Sequence, residues 1–441
     1  MITADDVRKL AKEENVRYLR MTFSDALGAL KNIEIPIALL DDALNNKIKI
    51  DGSSIKGFLP IEDADMYLYP DTNTWKIYPW VTDKNKTASM ICDVHNVDGT
   101  PFIGDPRSIL RRELDAVKEM GFDTFDIGAE PEYFLFKADE NGNPTMKVND
   151  DGFYFDLEPK DLGEACRRET SNTLTQMGFK VEADHHEAAA GQHEIDFKYD
   201  KALYTADNVQ YFKLTIRRIA QDFGLCATFM PKPITGINGS GMHLNMSLFK
   251  NGQNMFDDPD GLKGLSETAL YFLGGVLAHA KAITAVANPT INSFKRLVPG
   301  YEAPTYVAWS TSNRTPLVRV PAGRGKLTRL ELRSGDPTAN PYIAIAAALA
   351  AGIDGINNKI MAPDPVERNI YKMTAQERKD ANITELPGSL SEAIKDLNDD
   401  EVIKNALGSY FVNKFTALKQ QEINDYRTNV TDWEHKQYFD D

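Results

Sequence analysis

The chain has 441 residues, of which 42% are hydrophobic and 26% are charged, and its formal net charge is −15. This composition is ordinary for a folded globular protein, and at roughly 150 residues per domain the length predicts two or three domains. The acidic balance, with no run of Lys or Arg longer than two residues, argues against a nucleic-acid partner, so any phosphate group that the protein handles should be small and locally bound.

The cysteines and the amino-terminal segment bear on the cellular compartment. Cys92, Cys166 and Cys226 are far apart and form no CxxC pair, so neither a disulfide framework nor a zinc cluster is predicted. The amino terminus carries early acidic residues and lacks the apolar core of a signal peptide. The longest apolar run, 342–353, is too short to cross a bilayer. We expect a cytoplasmic protein with no membrane partner.

A small first domain is predicted from the start of the chain. Spaced apolar residues indicate an amphipathic helix within residues 1–20, and segment 18–37 is typical of two strands joined by a glycine turn. The segment DGSSIKGF at 51–58 exposes the carboxylate of Asp51. Taken alone, this segment is more typical of a simple turn than of a functional loop.

A capped helix beginning near Asp105 and ending at Gly121 marks the predicted boundary between an amino-terminal domain, 1–103, and a larger domain, 104–441. In the larger domain we predict further helices at 161–177, 208–223, 265–286 and 341–353. The strands between them are rich in polar residues, and no fully apolar parallel strands recur. An α+β fold with an antiparallel-rich sheet is therefore favoured over a doubly wound one.

The first group of chemically suggestive residues is a pair of carboxylates in segment 126–136, DIGAEPEYFLF. If the segment is one strand, Glu130 and Glu132 lie on the same face, where two like charges are costly unless a cation lies between them. A metal site is favoured over a solvent-facing edge, which the flanking Phe134 and Phe136 make less suitable.

Segment 185–197, HHEAAAGQHEIDF, adds Glu187 and Glu194 together with three histidines. The metalloprotease pattern HExxH fails here, because position 190 is Ala and the following Gly191 would break the required helix. A loop followed by a strand is the better prediction.

Segment 238–249, NGSGMHLNMSLF, places His243 after a glycine-rich turn, with Asn245 and Ser247 on the same strand face. A single histidine is more often structural than a ligand. Gly239 and Gly241 allow a ligand to approach the backbone closely, although neither a P-loop nor a dinucleotide fingerprint is present.

Two later segments supply arginines, and a third forms a loop. In 326–342 a charged face of Arg329, Glu331 and Arg333 alternates with leucines. Such guanidinium groups suit a bound polyphosphate, and a surface ion-pair ladder is the alternative. Segment 311–321 supplies Arg314 and Arg319. The turn-rich loop 288–304 supplies Lys295, Arg296 and Glu302.

Together these residues are several carboxylates, one histidine and several arginines, with no nucleophilic Ser or Cys signature. Carboxylate-dominated ligand sets favour Mg²⁺ or Mn²⁺ over zinc. Clustered hard cations and arginines are the parts used in phosphoryl transfer. The residues thus predict a metal-dependent phosphoryl-transfer enzyme, and they do not reveal the acceptor.

In order and spacing, the segments DGSSI, GAEPEYFLF, HHEAAAGQHEIDF, NGSGMH, KRLVPGYEAP, NRT and RLELRSGDPTANPY resemble type I bacterial glutamine synthetases over nearly the whole chain. The resemblance implies a small amino-terminal β-grasp domain, a large catalytic domain, and a homo-dodecamer of two stacked hexameric rings with active sites shared between neighbouring subunits. It implies L-glutamate, ammonium and ATP as substrates, and a nitrogen-responsive regulator protein is a candidate partner.

The resemblance also implies roles by motif position. The metal ligands would be Glu132, Glu187 and Glu194 at one site and Glu130, His243 and Glu331 at the other. Contacts with glutamate and the transferred phosphoryl group would come from Arg296, Arg314 and Arg333, with Asn238 and Gly239 on the amino acid. The ATP phosphates would lie along Arg319 and Lys326, and its nucleoside near Glu182, Tyr199 and Ser247.

The implied chemistry has two steps. ATP phosphorylates the side-chain carboxylate of glutamate, and ammonia then displaces phosphate to give glutamine. Asp51 would take a proton from ammonium, while Glu302 would close over the intermediate, shield it from water and accept a further proton.

Two positions depart from relatives of this type. Pro60 stands where many Gram-positive relatives carry Arg, which puts their glutamine-feedback contact in doubt. Tyr371 matches a position that is adenylylated in longer relatives, and in this compact form we expect it to stay unmodified. The alternatives are a γ-glutamyl ligase for a polyamine or other amine, and a non-catalytic structural or regulatory relative.

Overall fold

The computed structural model describes residues 1–59 and 64–441, so Pro60 lies outside the described residues. The first part of the chain forms a six-stranded sheet in the order β2-β1-β6-β4-β3, with β5 on β6. Its helices are α1 (Ala4–Glu13) and α2 (Leu40–Leu44). Its strands are β1 (Tyr18–Ser24), β2 (Leu30–Pro36), β3 (Ile48–Asp51), β4 (Asp65–Pro70), β5 (Lys76–Ile77) and β6 (Thr87–His95).

Local sequence explains the first elements. Helix α1 begins after Thr3, whose hydroxyl accepts from the amide of Asp6 while the Asp6 carboxylate accepts from the amide of Thr3. The predicted hairpin is confirmed, because β1 and β2 pair antiparallel. Its turn is held by the Asp25 carboxylate, which accepts from the amides of Leu27 and Ala29.

The rest of the chain carries two more sheets, a five-stranded one in the order β10-β11-β8-β13 with β9 on β8, and an eight-stranded one in the order β12-β7-β14-β18-β17-β16-β19 with β15 on β14. The strands are β7 (Thr124–Pro131), β8 (Tyr133–Ala138), β9 (Pro144–Val148), β10 (Val181–His186), β11 (Gln192–Phe197), β12 (Asp200–Lys201), β13 (Leu225–Thr228), β14 (Met242–Lys250), β15 (Gln253–Asn254), β16 (Tyr306–Ser310), β17 (Pro316–Arg319), β18 (Leu330–Leu332) and β19 (Thr384–Glu385).

Helices pack around these sheets. They are α3 (Pro106–Glu119), α4 (Glu164–Gln176), α5 (Ala202–Asp222), α6 (Glu267–Ala278), α7 (Ala280–Ala287), α8 (Ser293–Arg296), α9 (Pro341–Asn358), α10 (Ala375–Asp380), α11 (Leu390–Asp399), α12 (Glu401–Leu407), α13 (Ser409–Arg427) and α14 (Asp432–Tyr438). Among the described strand pairs, β1 with β6 and β16 with β17 are parallel and the others antiparallel. The predicted α+β class with an antiparallel-rich sheet is confirmed.

The predicted helix 265–286 is wrong in one respect, because the structure contains two helices, α6 and α7, bent by 71°. The break falls at His279, whose backbone leaves helical geometry at φ −98° and ψ 10°. Its ring contacts the carboxylates of Asp400 at 2.7 Å and Asp354 at 3.1 Å. Among the described residues no single helix is long and apolar enough to span a membrane, and only this bent pair together reaches that length and composition.

The described residues contain two large apolar cores and two smaller clusters. The smaller of the two cores is formed by residues between Val7 and Phe102, and the larger one surrounds the Ala-rich helix α9. The buried guanidinium of Arg107 joins the two parts: it binds Asp71, directly after β4, at 2.8 Å, Asp93 on β6 at 2.7 Å, and Asp207 on α5 at 2.9 Å. A fully paired buried cation of this kind restricts how the two parts can be arranged.

Candidate active site

The main candidate site is a cavity of about 360 Å³ at the eight-stranded sheet. The predicted site residues that line it are Glu130, Glu132, Glu187, Glu194, Asn238, Gly239, His243, Arg296, Glu302, Arg314, Arg319, Glu331 and Arg333. Segments that are distant in the sequence thus converge on one volume.

Three neighbouring strands build the first cluster of potential metal ligands. Glu130 on β7 stands opposite His243 on β14, and Glu331 lies on the next strand, β18. One donor atom from each residue lies within 4.8 Å of the other two. The Nδ1 atom of His243 is 3.3 Å from Glu130 and 3.7 Å from Glu331.

The first cluster is held in place by hydrogen bonds. Burial disfavours the charged form of Glu130, but hydrogen bonds from His243 and from the Asn245 amide, at 2.8 Å, outweigh it and lower the pKa of this carboxyl. Glu331 is buried and pairs with Arg319 at 3.0 Å and Arg333 at 3.1 Å. Two guanidinium groups therefore stand beside the ligand cluster, where a phosphate would meet them.

A second cluster contributes Glu187 and Glu194 to the lining of the same cavity. Donor atoms of His185, Glu187 and Glu194 lie within 4.8 Å of one another, and Nε2 of His185 is 3.4 Å from Glu194. No role was predicted for His185, and the family resemblance grouped Glu132 with the two glutamates instead. Glu132 does line the cavity, where its Oε2 accepts from Gln192 at 2.8 Å and from the amide of Gly241 at 2.9 Å.

The carboxylates near this second cluster repel one another, and this repulsion indicates the kind of ion that they could bind. Burial, and next the neighbouring Glu187, raise the pKa of Glu132 to about 7. Burial, and next Glu132, raise the pKa of Glu194 well above its ordinary value. Buried carboxylates that repel one another in this way fit a hard divalent cation, whose charge would relieve the repulsion.

The prediction that Glu130 and Glu132 share one strand is wrong. Strand β7 ends at Pro131 and β8 begins at Tyr133, in a different sheet, so Glu132 lies at the junction. Proline has no backbone donor to continue a ladder, which suits a break at this point. The two carboxylates reach the same cavity because two sheets meet there, and not through strand alternation.

The predicted loop 288–304 contains the short helix α8, which places Arg296 in the interior. Its guanidinium donates to the carbonyl oxygens of Ser334 at 2.6 Å and Arg333 at 3.3 Å. A Cβ atom at Gly241 would lie 2.7 Å from Nη2 of Arg296. A side chain at position 241 would therefore have to displace this arginine, whereas the sequence suggested only a ligand near the glycine.

Glu302 follows in the same loop, and it is exposed. Its backbone has a positive φ of 60°, and its carboxylate accepts from the Asn238 side chain at 3.0 Å. The hydroxyl of Tyr371, a half-buried side chain, donates to the carbonyl oxygen of Ala303 at 2.5 Å. The segment around Glu302 is thus tied to two other parts of the chain.

A second cavity of about 360 Å³ adjoins the first, and Glu130 and Asp196 line both. The four remaining residues predicted to bind nucleotide, Glu182, Tyr199, Ser247 and Lys326, line this second cavity. Arg329 closes one side by donating to the Asn245 side chain at 2.9 Å. The predicted nucleotide residues thus meet beside the predicted phosphoryl-transfer residues.

Asp51 is separate from both cavities. It ends β3, is exposed, and accepts from the hydroxyl of Ser53 at 2.6 Å and from its amide at 2.8 Å. These two bonds lower the pKa of its carboxyl. Among the described residues, none that lines the main cavity comes before Glu130 in the sequence.

Gln192 and Asp196 line the cavity and His185 belongs to the second cluster, but no role was predicted for any of the three from the sequence. Gln192, Glu194 and Asp196 alternate on β11, and all three line the main cavity. A period-two pattern around Glu194 could have identified its two neighbours. His185 lies on the partner strand, paired with Glu194, and one sequence alone does not show that pairing.

Comparison with known proteins agrees with this geometry. Residues 15–97 match the model of the glutamine synthetase β-grasp domain, and residues 103–438 match that of the glutamine synthetase catalytic domain. Glutamine synthetase of Staphylococcus aureus (strain MW2) is 56% identical over 436 residues, which are 99% of this chain and 98% of the relative. The Staphylococcus epidermidis enzyme gives the same values.

Solved structures also match over the full length. A GmaS/ADP complex has a TM-score of 0.90 at 32% identity, covering 100% of both chains. The Plasmodium falciparum glutamine synthetase has a TM-score of 0.88 at 26% identity, covering 99% of each chain. The chain therefore belongs to the glutamine synthetase family.

Proposed function

We infer that this protein is an enzyme, a glutamate–ammonia ligase that makes glutamine from L-glutamate, ammonia and ATP through a γ-glutamyl phosphate intermediate. The observation that carries this function is the convergence of two carboxylate and histidine clusters with Arg319 and Arg333 beside a second cavity. Phosphoryl transfer requires such a set of charges.

We propose that two or more Mg²⁺ or Mn²⁺ ions are held at the clusters. Glu130, His243 and Glu331 would form one site, and Glu132, Glu187 and Glu194 the other, with His185 near enough to contribute. When bound, the ions would neutralise charge on the transferred phosphoryl group. The repulsion that raises the pKa of Glu132 and Glu194 supports this assignment.

The nucleotide would occupy the second cavity, with its nucleoside near Glu182, Tyr199 and Ser247 and its phosphates along Lys326 and Arg319. The GmaS structure of the same fold that was solved with ADP supports a nucleotide site. Asn238, Gly239 and Arg296 would bind the amino acid, while Arg314 and Arg333 would face the phosphoryl group.

In the first step a side-chain carboxylate oxygen of glutamate attacks the γ-phosphorus of ATP, and ADP leaves. In the second step ammonia attacks the acyl carbon, and phosphate leaves. Asp51 would accept the proton that converts ammonium to ammonia, and its lowered pKa keeps it charged for contact with the cation. Glu302 would cover the intermediate, exclude water and accept a proton from the adduct.

The active site would be shared within a dodecamer of two stacked hexameric rings. Asp51 does not line the cavity of its own chain, which supports a contribution from a neighbour. Exposed aromatic residues near the carboxyl terminus, Trp433 at 60% and Phe439 at 80%, are further surface that assembly could cover. We propose domains at 1–103 and 104–441, and the separate core formed by residues between Val7 and Phe102 supports the first of them.

The protein would work in the cytoplasm, where its three free cysteines stay reduced. A nitrogen-responsive regulator protein is the regulatory partner that the family relationship suggests.

A direct assay tests the function. Purified enzyme with Mg²⁺, ATP and glutamate should release phosphate rapidly when ammonium is added, with glutamine formed in equal amount. Parallel reactions with putrescine or methylamine in place of ammonium test other acceptors. Faster turnover with either amine would make the protein a γ-glutamyl ligase for that amine, and no ammonium-dependent phosphate release would exclude the ligase function.

A further inference from the structure

A cavity of about 480 Å³ lies apart from the active site, between the β1–β2 hairpin and helix α5. Small-molecule sites in proteins have volumes of roughly 300–1,000 Å³, so this cavity is large enough for a metabolite. Residues from the hairpin turn, 27–32, form one side, and Lys213, Leu214 and Arg217 of α5 form the other.

The lining of this cavity is positively charged, whereas the whole chain is negatively charged. Four cationic side chains line the cavity, Arg20, Lys31, Lys213 and Arg217, and no carboxylate does so among the described residues. The chain as a whole has a net charge of −15. A cavity lined by one sign of charge attracts the opposite sign, and here that is an anion.

Two of the cations are already paired, while Lys213 is not. Arg20 binds Glu34 at 2.8 Å, and Lys31 is 3.7 Å from Asp25. Lys213 is only 8% exposed, and among the described residues its ammonium has no hydrogen bond or ion pair. The Nζ atom of Lys213 lies over the aromatic ring of Phe229, 5.9 Å from the ring centroid.

Arg217 lies one helical turn from Lys213 and covers the same ring, with its guanidinium carbon 5.0 Å from the centroid. Burial, and next the charge of Arg217, lower the pKa of Lys213 to about 7, and the charge of Asp336 offsets only part of this effect. A buried cation with a cationic neighbour is unfavourable unless an anion lies between them. Tyr78 also lines the cavity, and its hydroxyl is buried.

We propose that this cavity is a binding site for a small, multiply charged anion held between Lys213 and Arg217. The ligand class is a phosphate or phosphate ester, or a di- or tricarboxylate, and Leu30, Leu214 and Phe229 offer apolar surface to its carbon skeleton. A bound anion would contact both the hairpin of the first sheet and α5, so it would resist their separation.

Tryptophan fluorescence provides a local measurement, because the indole of Trp80 stacks on Tyr78 with ring centroids 4.8 Å apart. The assembled enzyme is titrated separately with inorganic phosphate and with citrate at constant ionic strength. We expect a saturable fluorescence change with at least one anion. Trp80→Phe should remove the change, and the anion that binds identifies the phosphate or the carboxylate class.

The matched variants are Lys213→Met and Arg218→Gln. Both remove one positive charge from α5, but Arg218 does not line the cavity and pairs with Asp222 on the surface. Lys213→Met should weaken anion binding by about tenfold or more, while Arg218→Gln should leave it unchanged. Without anion, Lys213→Met should raise Tm, because it removes an unpaired buried charge.

Two outcomes would overturn the proposal. One is the absence of a saturable change with either anion. The other is an equal affinity in the Lys213→Met and Arg218→Gln variants, which would place the anion elsewhere on the protein.

Discussion

Glu302 has a backbone conformation that residues other than glycine seldom adopt, with φ at +60°. Its exposed carboxylate is oriented by the side chain of Asn238 at 3.0 Å. The neighbouring Ala303 is bound through its carbonyl oxygen to the Tyr371 hydroxyl. Polar contacts on both sides therefore keep this carboxylate at the edge of the cavity.

We expect Glu302→Ala to fold with an unchanged Tm and to bind ATP normally, because no buried packing is lost. Glutamine formation should fall by about 100-fold or more, as for a lost general base. Glu302→Gln is the control: it keeps an acceptor for Asn238 but cannot take a proton, so it should be equally inactive. Near-normal turnover in either variant would contradict the assigned role.

Glu132 allows a test of the metal sites through stability. Its raised pKa shows that its charge is unfavourable in the protein alone. Glu132→Gln should therefore raise Tm without metal, and Mg²⁺ or Mn²⁺ should raise Tm less in this variant than in the wild type. For a ligand at 100 times its Kd, linkage predicts about 2.7 kcal/mol of stabilisation in the wild type.

The matched control is Glu140→Gln, which changes an exposed carboxylate in a turn. It should show the full metal-dependent increase in Tm. If Glu132→Gln does so too, Glu132 is not a ligand, and His185 becomes the third member of that cluster.

At the scale of elements, the hairpin, the helices and the class of sheet follow from apolar periodicity and turn residues. Their ends and bends do not, because those depend on distant partners. The predicted strand 126–136 is divided where two sheets diverge, and the predicted helix 265–286 bends where Asp354 and Asp400 bind His279. Neither partner of His279 is close to it in the sequence.

The carboxyl-terminal helices were not predicted, although the sequence contains signals for at least one of them. Helix α11 begins with Ser389, whose hydroxyl accepts from the amide of Glu392, and it buries Leu390, Ile394 and Leu397. Both the cap and the helical spacing are present in the sequence. The cap and the spacing could have predicted α11, although no helix was predicted in that region.

The bend at His279 predicts a pH dependence. Burial disfavours the charged ring, but the carboxylates of Asp400 and Asp354 outweigh it and raise the pKa above its ordinary value of 6.5. The folded state thus binds the proton more tightly than the unfolded chain. The resulting stabilisation is complete below the unfolded pKa and is lost as pH rises through the higher folded value.

The measurement compares Tm of the wild type with Tm of His279→Gln across this pH range. Subtracting the two removes the titration of all other groups. The Tm of the wild type should exceed that of His279→Gln most at acidic pH, and this difference in Tm should decrease as pH rises. A difference that stays constant or grows would show that the ring is not charged in the folded protein.

At the scale of the whole molecule, the proposed sharing of the active site between subunits leads to a prediction about mixtures of two variants. Asp51→Ala and Glu331→Ala should each be inactive as pure proteins. In mixed rings, a site has both residues wherever an Asp51→Ala subunit keeps its own Glu331 and borrows Asp51 from a neighbour. Random mixing in equal amounts makes this about one in four interfaces.

Co-expression of the two variants, followed by the glutamine assay, provides the measurement. Recovered activity indicates a site built from two chains. Rings shown to be mixed but still inactive would mean that one chain supplies both residues. This feature could not be predicted from composition or periodicity, because an exposed Asp51 in a turn looks the same whether or not a neighbour covers it.

The three strands that carry Glu130, His243 and Glu331 also determine when this cluster can exist during folding. The first two residues are 113 positions apart, so their meeting requires the closure of a long loop. Contacts of this range form slowly and depend on prior packing of the sheet. At the proposed metal site, a divalent ion would therefore find its ligands only after β7, β14 and β18 are aligned. Added metal should slow unfolding while leaving the refolding rate nearly unchanged, since its ligands are not yet assembled in the transition state.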